Sequence, residues 1–572
     1  MYSDKRNILQ LVALLKAHNV CHIVISPGAR NWPITQSLAS DSFFKCYSVV
    51  DERNAGFFAL GVCLNNKYDT VALCCTSGSA FLNYGPAIAE ASQQQVGFVV
   101  ITADRPEQWV GQLENQSIQQ MGLFSPYIKK SVNLPELRPD EDDWHCNRLI
   151  NEALLEVNYG MPGPVHINVQ IAEPLFEFTV EHLPEVRVIN RLSKRDKHRI
   201  DLEIEYERYA DMFGNYDKVM LLMGQGDYFT LDIWPYNLFE ELCNSGCVVL
   251  GEYLATGISA PNIIRNFDTI LYALPEEEWE SYAPDLLITV KGHIVSKRLK
   301  RFLRLNKPKA HWHISTRGEI VDTYQCLTDV IEGHPTYVLP IFLNLNIAKS
   351  GGYQPYERNW RKLSAKVVPP KPGYSDLMAV GELMKALPEA SRIHLGNSSS
   401  VRLALLFPIS IHYPRVYANR GTSGIEGCLS TAAGYAASEE KDELIIDMNF
   451  VITGDLAFFH NMNAIWNYPV EQYGFRILLN NNGGGEIFHT LPGFENTEIT
   501  KKYITAKHKT SAKDWATENG FLYFGVTNED DLKKYMPAFA NREVKSPILM
   551  EVFTDMFRNL YELETYYQSV RL

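Results

Sequence analysis

Short apolar segments recur along this sequence, and turn residues and then a helical stretch follow most of them. The first of these segments are CHIVISP, KCYSVVD, TVALCCTSG, GFVVITADRP and PVHINVQ, with small-residue stretches such as AFLNYGPAIAEASQQ between several of them. Their apolar runs are continuous rather than alternating, which is typical of strands in a parallel sheet that helices cover on both faces. The pattern predicts an α/β fold of open, mostly parallel sheets flanked by helices.

The pattern repeats in three sections of a chain that, at 572 residues, is too long for one core. A charged stretch near residue 185 closes the first section, and the segment AKSGGYQPYERNW separates the second from the third. The third section contains the apolar segments RIHLGN, RVYANR, DMNFVITGD, YGFRILLNNN and PILMEVF. We predict three α/β domains, at residues 1–185, 186–350 and 351–572.

Charge and composition restrict the partners and the compartment. The chain has 54 Lys and Arg against 67 Asp and Glu, a formal net charge of −13. Nucleic acids and anionic membranes bind surfaces rich in Lys and Arg, so neither is expected as a partner. No apolar run approaches the roughly 20 residues of a membrane span. The ten scattered cysteines suggest no disulfide framework, and the N-terminus lacks a signal peptide pattern, so a cytoplasmic location is expected.

Two turns in the third section indicate a site for a metal-bound anion. Gly454 and Asp455 end one apolar segment, and residues 480–485 end the next. Ligands bind beyond the carboxyl ends of parallel strands, so both turns should face one crevice. Asp455, the amide oxygen of Asn482 and a glycine carbonyl are ligands that Mg²⁺ prefers. An ordinary Asn/Gly turn would explain either feature better alone, but their joint occurrence favours the site.

The spacing of these turns resembles the motif of thiamine-diphosphate enzymes that begins with GD and ends with NN. Leu456 stands where the motif usually has a second glycine, as in one branch of that family. Three consecutive asparagines allow two alignments, and the choice of Asn481 and Asn482 preserves the usual spacing. The resemblance implies thiamine diphosphate with Mg²⁺ or Mn²⁺ as cofactors. It also implies Asp455, Asn482 and the backbone oxygen of Gly484 as metal ligands.

Glu52 meets a second requirement of such enzymes, which need a carboxylate against the aminopyrimidine ring of the cofactor. It follows the segment KCYSVVD and precedes a small-residue helix. An apolar pocket would favour the proton that the carboxylate shares with the ring. The preference of acidic side chains for helix N-termini explains Glu52 at least as well by itself. Together with the metal motif, Glu52 is predicted to be catalytic.

Segments in order along the chain resemble the MenD family, the 2-succinyl-5-enolpyruvyl-6-hydroxy-3-cyclohexene-1-carboxylate synthases of menaquinone biosynthesis. They are SPGAR, DERNAGFFALG, TSGSAFLNYGPAIAEA, ITADRPEQ, LENQSI, GNSSSVR, NRGTSGIEG and GDL…NNGGGEIFHTLPG, with residues 296–298 (SKR) in the middle section. The resemblance implies decarboxylation of 2-oxoglutarate and addition of the succinyl carbanion equivalent to isochorismate. It also implies a homodimer or homotetramer in which Glu52 and Asp455 of different subunits serve one site.

Four arginines support carboxylate substrates. Each follows an apolar strand segment on the side where ligands bind, at Arg30, Arg105, Arg402 and Arg420. The planar guanidinium suits bidentate capture of carboxylates. A surface salt bridge would explain any one of these arginines, but four at strand ends favour acidic substrates.

The resemblance implies roles for further residues. For the succinyl carboxylate the implied residues are Ser398, Arg402 and Arg420, and for isochorismate they are Arg30, Arg105, Asn115, Gln116, Lys297 and Arg298. Ile425 would support the bent cofactor, and Ile487, Phe488 and Leu491 would wall the pocket, although core packing explains these apolar residues almost as well. The predicted cofactor-binding set also includes Thr76, Ser77, Gly78, Ser398, Leu456 and Ile487.

Departures and alternatives remain. Ala29 replaces the usual serine beside Arg30, an insertion around EEKDELIIDMN precedes Gly454, and His22, His293 and His489 are expected to be structural. One alternative is another thiamine-dependent 2-oxo acid enzyme resembling acetolactate synthase. The other is a nucleotide-binding relative without catalysis.

Overall fold

The chain is described by a computed structural model. It describes residues 1–66, 69–137, 143–191, 206, 208–228, 238–258, 262–316, 318–346, 355–411, 414–439, 448–467, 470, 474–490 and 493–571. Strands form where the continuous apolar segments lie, and most are buried along their length. The predicted α/β class, with three open sheets of parallel strands flanked by helices, is confirmed.

The strands are β1 (His22–Ile25), β2 (Lys45–Ser48), β3 (Val71–Cys75), β4 (Phe98–Asp104), β5 (Lys130–Leu134), β6 (Val165–Gln170), β7 (Val219–Met223), β8 (Gly226–Asp227), β9 (Val248–Gly251), β10 (Ala255–Thr256), β11 (Leu286–Val290), β12 (Ala310–Ser315), β13 (Asp329–Glu332), β14 (Ser391–Leu395), β15 (Arg415–Tyr417), β16 (Met448–Gly454), β17 (Phe475–Asn481), β18 (Leu522–Val526) and β19 (Ile548–Phe553).

The helices are α1 (Arg6–Ala17), α2 (Trp32–Ala39), α3 (Glu52–Asn65), α4 (Ser79–Asn83), α5 (Gly85–Gln94), α6 (Trp144–Val157), α7 (Leu238–Asn244), α8 (Phe267–Ala273), α9 (Trp279–Tyr282), α10 (Lys297–Leu305), α11 (Pro335–Asn346), α12 (Pro355–Lys366), α13 (Asp376–Ala386), α14 (Ser399–Ala404), α15 (Cys428–Ser438), α16 (Asp455–His460), α17 (Glu498–Tyr503), α18 (Lys513–Glu518), α19 (Glu529–Phe539) and α20 (Met556–Ser569). Short 3₁₀ helices span Glu107–Trp109, Glu276–Glu278, Met462–Ala464 and Glu486–Thr490.

The first of two compact units comprises Met1–Leu192, Asn419–Ile446 and Ala457–Phe475. Its sheet has the strand order β2-β1-β3-β4-β6-β5, and neighbouring strands run parallel. Every residue of β3 and β4 is buried, as expected for strands with both faces covered. Because the strands are parallel, the residues that follow β2, β3 and β4 emerge at one edge, and these include Glu52, Thr76 and Arg105.

Two helices of this unit cross at glycines. A Cβ atom on Gly61 of α3 would lie 1.9 Å from the carbonyl oxygen of Thr431 on α15, and one on Gly434 would lie 1.9 Å from that of Phe58. Any larger residue at either position would push the helices apart. The crossing therefore fixes α3, which begins with Glu52, against α15.

The second compact unit comprises Ser193–Ala418, Asp447–Leu456 and Arg476–Leu572. It contains a sheet of order β13-β12-β11-β7-β9, a two-stranded sheet of β10 and β8, and a sheet of order β15-β14-β16-β17-β19-β18. Each large sheet has its own apolar core, around Trp312 in one and Phe450 in the other. Since β16 and β17 are neighbours, Asp455 and Asn482 follow adjacent strands.

Helix starts near the predicted site residues are capped by short polar side chains. Asp51 caps α3, Ser375 caps α13 and Asp555 caps α20, each accepting a backbone N–H of the first turn. Such caps typically stabilise a helix by about 1 kcal/mol. The caps stabilise the first helical turns, which in α3 and α13 carry Glu52 and Asp376.

The remaining organisational predictions have different outcomes. The strands of the three large sheets lie within residues 22–170, 219–332 and 391–553, while the domain boundaries stay predictions. All ten cysteines lie in described ranges and are free. Among the described helices, none is long and apolar enough to cross a membrane. Leu491 and most of the insertion around EEKDELIIDMN fall outside the described residues.

Candidate functional site

The carboxylate of Asp455 joins the end of β16 to the glycine turn that follows β17. Asp455 is 2% exposed. Its Oδ2 accepts the backbone N–H groups of Gly483 and Gly484 at 2.8 and 3.0 Å, and its Oδ1 accepts that of Leu456 at 2.6 Å. Burial raises the pKa of the Asp455 carboxyl, against the opposing effect of His508 and these N–H groups. The structure thus brings together the two turns that the sequence pattern pairs.

The turn requires glycine. Gly483 and Gly484 have φ values of 79° and 152°, in the region that other residues rarely adopt. A Cβ atom on Gly484 would also lie 2.6 Å from the carbonyl oxygen of Thr505. The Gly484 carbonyl accepts the N–H of Glu486 at 3.0 Å and keeps a second lone pair. Without side chains at these positions, a ligand can closely approach the backbone N–H and carbonyl groups of the turn.

The amide of Asn482 is oriented by two carboxylates. Its Nδ2 donates to Oδ2 of Asp376 at 3.0 Å and to Oε2 of Glu486 at 2.7 Å. Its Oδ1 is buried and accepts no hydrogen bond from any described residue. A buried acceptor without a partner costs about 1–3 kcal/mol, which a bound cation would offset. The oxygen of Asn482 is therefore available as a metal ligand.

The two preceding asparagines have different surroundings. The Nδ2 of Asn481 donates to Oε1 of Glu551 at 2.7 Å and to the carbonyl of Thr510 at 2.8 Å. The Oδ1 of Asn480 is buried and, like that of Asn482, lacks a partner among the described residues. Asn482 is the one that adjoins the turn holding Asp455, which supports the alignment chosen from the sequence.

These groups fit a divalent metal that carries a diphosphate. One carboxylate, one amide oxygen and one backbone carbonyl are hard oxygen ligands, and such a set leaves positions for phosphate oxygens and water. Within the described ranges, no group of three or more His, Cys, Asp or Glu side chains is placed to hold a metal. The mixed oxygen set of Asp455, Asn482 and Gly484 is thus the candidate metal centre.

Two further buried carboxyl groups contact Asn482: Asp376 lies outside the sequence motifs, and Glu486 lies within the segment NNGGGEIF without a predicted role. Asp376 begins α13 and Glu486 begins a 3₁₀ helix. Burial, followed by repulsion from Asp376, raises the pKa of the Glu486 carboxyl. Burial raises the pKa of Asp376 to about 6. Both carboxyl groups are thus buried beside the Asn482 amide, away from solvent.

His508 is the histidine that adjoins Asp455. Its Nε2 lies 3.3 Å from Oδ2 of Asp455. His508 follows no apolar strand segment and belongs to no recognised motif, so the sequence offers no signal for it. The histidines considered from the sequence were His22, His293 and His489.

Ser398 and Arg402 lie together at the start of α14. The guanidinium of Arg402 donates to the carbonyl of Ser398 at 2.5 Å. Ser398 has a φ of 70°, which is uncommon for a residue with a side chain. Burial lowers the pKa of Arg402, while Asp268 and Glu252 raise it. Arg402 thus stands half-buried among acidic groups of its own unit.

Arg298 is held at the start of α10. It forms an ion pair with Asp268 and lies over the rings of Tyr272 and Tyr567, 4.7 and 4.5 Å from their centroids. Lys297 is exposed. The predicted isochorismate residue Arg298 is therefore already engaged by an acid and two aromatic rings.

Glu52 begins α3 in the first compact unit. It is half-buried and directly follows the capping residue Asp51. Burial raises the pKa of Glu52, and the negative charge of Asp51 adds to the effect. This setting stabilises the protonated form of the carboxyl relative to the charged form, while the catalytic role of Glu52 stays a prediction.

Arg30 and Arg105 are close neighbours. Arg30 is buried and donates to the carbonyl of Ile171 at 2.9 Å. Arg105 donates to the carbonyl of Asn115 at 2.9 Å and pairs with Glu114 at 3.0 Å. Burial, and then repulsion from Arg105, lowers the pKa of Arg30. Arg30 also pairs with Glu173 at 3.4 Å, so each of these adjacent guanidinium groups faces one carboxylate, and the buried Arg30 suits a further anionic ligand.

The turn after β3 contacts the segments that carry these arginines. Gln116 donates to the carbonyl of Ser77 at 3.2 Å. Gly78 has a φ of 84°. A Cβ atom on Gly28 would lie 2.4 Å from that of Thr76, so the segment SPGAR packs directly on this turn. The first unit thus brings Thr76, Ser77 and Gly78 together with Gln116.

The loop that carries Arg420 is fixed by a buried carboxylate. Oε1 of Glu90 accepts the N–H of Gly421 at 2.8 Å, and Oε2 accepts the N–H of Thr422 at 2.6 Å. Arg420 is half-buried, as is Ile425 later in the same loop. No local sequence pattern distinguishes Glu90 from an ordinary helix residue.

The apolar candidates adjoin the glycine turn. Ile487 and Phe488 are half-buried in the 3₁₀ helix that follows it, and a Cβ atom on Gly485 would lie 2.9 Å from the Phe488 ring. The predicted site residues are thus divided between the two compact units, and their roles stay predictions.

Comparisons with known proteins agree with the sequence resemblance. A family model described as thiamine pyrophosphate enzyme, N-terminal TPP binding domain, matches residues 9–123. A 2-succinyl-5-enolpyruvyl-6-hydroxy-3-cyclohexene-1-carboxylate synthase of Bacteroides thetaiotaomicron is 48% identical over 577 residues, covering 100% of both chains. The same-named protein of Bacteroides fragilis is 47% identical over 577 residues, with the same coverage. That of Flavobacterium psychrophilum is 35% identical over 568 residues, 98% of each chain.

Identity at this level over the full length of both chains shows the family, and it favours the synthase over the two alternatives drawn from the sequence. The expected cofactors, thiamine diphosphate and a divalent metal ion such as Mg²⁺, are confirmed for an enzyme of the transferase class. The chain belongs to the 2-succinyl-5-enolpyruvyl-6-hydroxy-3-cyclohexene-1-carboxylate synthase family of thiamine-diphosphate-dependent enzymes.

Proposed function

We propose that this chain decarboxylates 2-oxoglutarate and joins the remaining succinyl unit to isochorismate in menaquinone biosynthesis. The product is the compound for which its relatives are named. The observation that carries the proposal is the turn in which Asp455 holds Gly483 and Gly484 beside the unpaired amide oxygen of Asn482, within the described residues. Such a turn suits a metal-bound diphosphate.

The cofactor would be held by Asp455, Asn482 and the carbonyl of Gly484 through its metal ion. Thiamine diphosphate supplies, when bound, the nucleophilic carbon and the electron sink that decarboxylation needs. Glu52 would share its proton with the pyrimidine ring, because burial raises its pKa and favours the protonated form. Ile425, Ile487 and the turn after β3 would support the cofactor and exclude water.

Arginines would bind both substrates through their carboxylates. Arg402, with Ser398, and Arg420 would hold the carboxylate at the far end of 2-oxoglutarate. Arg30 and Arg105 would bind isochorismate, which carries two carboxylates, and their mutual repulsion supports an anionic ligand there. Further contacts to isochorismate would come from Asn115, Gln116, Lys297 and Arg298. Phe488 and Leu491 would contribute apolar walls.

A donor-competition assay tests the substrate assignment. Purified protein with thiamine diphosphate and Mg²⁺ is given 2-oxoglutarate with and without isochorismate, and CO₂ release and the coupled product are measured. We expect CO₂ release from 2-oxoglutarate in both cases, and the coupled ring product only when isochorismate is present. Faster consumption of pyruvate in its place would refute the assignment.

We also propose a homodimer, or a tetramer of two such dimers, in which Glu52 of one subunit serves the metal centre of the other. Mixing Glu52→Gln and Asp455→Asn proteins after dissociation would then create hybrid dimers with one intact site. Activity restored in the mixture supports this assembly, and a mixture as inactive as its parents argues against it. We further propose a cytoplasmic location, which the ten free cysteines support, because disulfides are rare in that compartment.

A further inference from the structure

A side chain of the C-terminal helix bonds to both of the residues whose carboxylates orient Asn482. Asn559 lies in the first turn of α20 and is 4% exposed. Its Nδ2 donates to Oε2 of Glu486 at 2.6 Å, and its Oδ1 accepts the backbone N–H of Asp376 at 2.9 Å. Asn559 therefore links the start of α13 to the 3₁₀ helix that follows the glycine turn.

The two carboxylates are themselves held in place. Oδ1 of Asp376 accepts the hydroxyl of Thr554 at 2.6 Å, which leaves Oδ2 for Asn482. Oε2 of Glu486 accepts from both Asn482 and Asn559. The backbone N–H of Thr554 in turn donates to the carbonyl of Asn481 at 3.2 Å. These hydrogen bonds therefore surround the amide nitrogen of Asn482.

This arrangement permits a single orientation of the Asn482 amide. Both hydrogens of its Nδ2 are directed at Asp376 and Glu486, so its Oδ1 faces the opposite way. A half-turn of the amide would place Oδ1 against the two acceptor oxygens, with no donor between them. These hydrogen bonds therefore fix the direction of the buried Oδ1, which accepts no hydrogen bond from the described residues.

We propose that Asp376, Glu486 and Asn559 are positioning residues that aim the Asn482 oxygen at the metal ion and thereby set metal affinity. The inference rests on the proposed function, since it requires Asn482 to be a metal ligand. Replacing a residue that orients a metal ligand commonly lowers metal affinity by about 10–100-fold. The C-terminal helix is accordingly a part of the cofactor site, far from it in sequence.

A neighbouring residue supplies a matched control. Glu562 lies on the same helix and is also buried. Its carboxylate accepts the N–H of Gly373 at 2.9 Å and pairs with Arg558, and neither contact involves Asp376, Asn482, Glu486 or Asn559. Glu562→Gln therefore perturbs a buried polar contact of α20 without disturbing the orientation of Asn482.

The test measures cofactor retention rather than turnover. Equilibrium dialysis of each protein against fixed thiamine diphosphate, over a range of Mg²⁺ concentrations, gives the Mg²⁺ midpoint for cofactor retention. We expect Asn559→Ala to raise this midpoint by about 10-fold or more, and Glu486→Gln, which keeps the size of the side chain, to raise it several-fold. Glu562→Gln should stay within about two-fold of the unmodified protein. The melting temperature without cofactor separates these effects from loss of folding.

The outcomes distinguish this inference from the proposed function. If Asn482→Ala leaves the Mg²⁺ midpoint unchanged, the metal centre itself is wrongly assigned. If Asn482→Ala raises it while Asn559→Ala and Glu486→Gln do not, the positioning inference alone fails. Should Asn559→Ala not fold, Glu486→Gln decides the matter, because it changes one atom of the network and leaves the packing of α20 intact.

Discussion

Replacement of Glu90 by glutamine should weaken binding of 2-oxoglutarate by releasing the loop that carries Arg420. The buried Glu90 carboxylate accepts the N–H groups of Gly421 and Thr422 at 2.8 and 2.6 Å, and the hydroxyl of Thr422 at 2.5 Å. Glutamine keeps one acceptor oxygen but turns an N–H₂ group towards one of the two backbone donors. One hydrogen bond from the loop is lost, and the other then has a neutral amide oxygen as its acceptor instead of a charged carboxylate.

The size of the effect follows from those contacts. A hydrogen bond to a charged group contributes about 1.5–3 kcal/mol, so the loop loses roughly 2 kcal/mol of restraint. If that free energy lowers the fraction of molecules with Arg420 in position, the KM for 2-oxoglutarate rises by about 10–30-fold. Because Arg420 would bind the carboxylate equally in the ground and transition states, kcat should change little.

Steady-state CO₂ release at varied 2-oxoglutarate and saturating isochorismate measures this KM. Gln94→Met is the matched control, since Gln94 donates to Oε1 of Glu90 at 2.6 Å from the same helix, whereas the hydrogen bonds to the loop described here come from Glu90 itself. An unchanged KM for 2-oxoglutarate in Glu90→Gln, together with a lowered melting temperature, would show that Glu90 is structural and does not position Arg420.

Three other predictions concern separate parts of the molecule. The folded-state pKa of Glu52 is raised, so its charged form destabilises the fold above the ordinary pKa of glutamate. Without cofactor, Glu52→Gln should therefore have a higher melting temperature than the unmodified protein at pH 8. This difference should shrink as the pH falls towards 4. Melting curves across this range check it, and a constant difference would contradict it. Gly484→Ala should abolish retention of thiamine diphosphate in dialysis, since the new Cβ would lie 2.6 Å from a carbonyl oxygen and φ is 152°; retained cofactor would mean that the turn tolerates a side chain. Arg30→Ala and Arg105→Ala should each raise the KM for isochorismate by about 10-fold or more while CO₂ release from 2-oxoglutarate alone persists, and a raised KM for 2-oxoglutarate instead would reassign them.

The features that sequence alone predicted depend on local chemistry. Continuous apolar segments specify buried parallel strands, because both faces of such a strand meet helices. The two turns at Asp455 and Asn482 were paired from sequence because parallel strands place their carboxyl ends at one edge. The structure connects these turns through the Asp455 carboxylate and the N–H groups of Gly483 and Gly484.

The residues that sequence did not reveal share a different property. Asp376 and Asn559 are single polar residues in the first turns of helices, and Glu90 lies in the middle of α5, positions at which exposed helices also carry polar residues. Their partners lie far away along the chain, so no spacing rule connects them. No sequence signal marked His508 either, because it belongs to no motif. Glu486 lies within a motif but stands between its glycines and Ile487 without a predicted role.

The amino-acid sequence by itself determined the fold class, the family and the turn that suits a metal-bound diphosphate, since each depends on residue types at short range or on similarity along the whole chain. Tertiary structure alone decided which atom of the Asn482 amide is left for a metal ion, because that choice depends on Asp376 and Glu486, which approach it from separate elements. It also decided that Glu90 holds the Arg420 loop. Hydrogen bonds between distant segments form only once packing has brought their donors and acceptors within about 3 Å of each other.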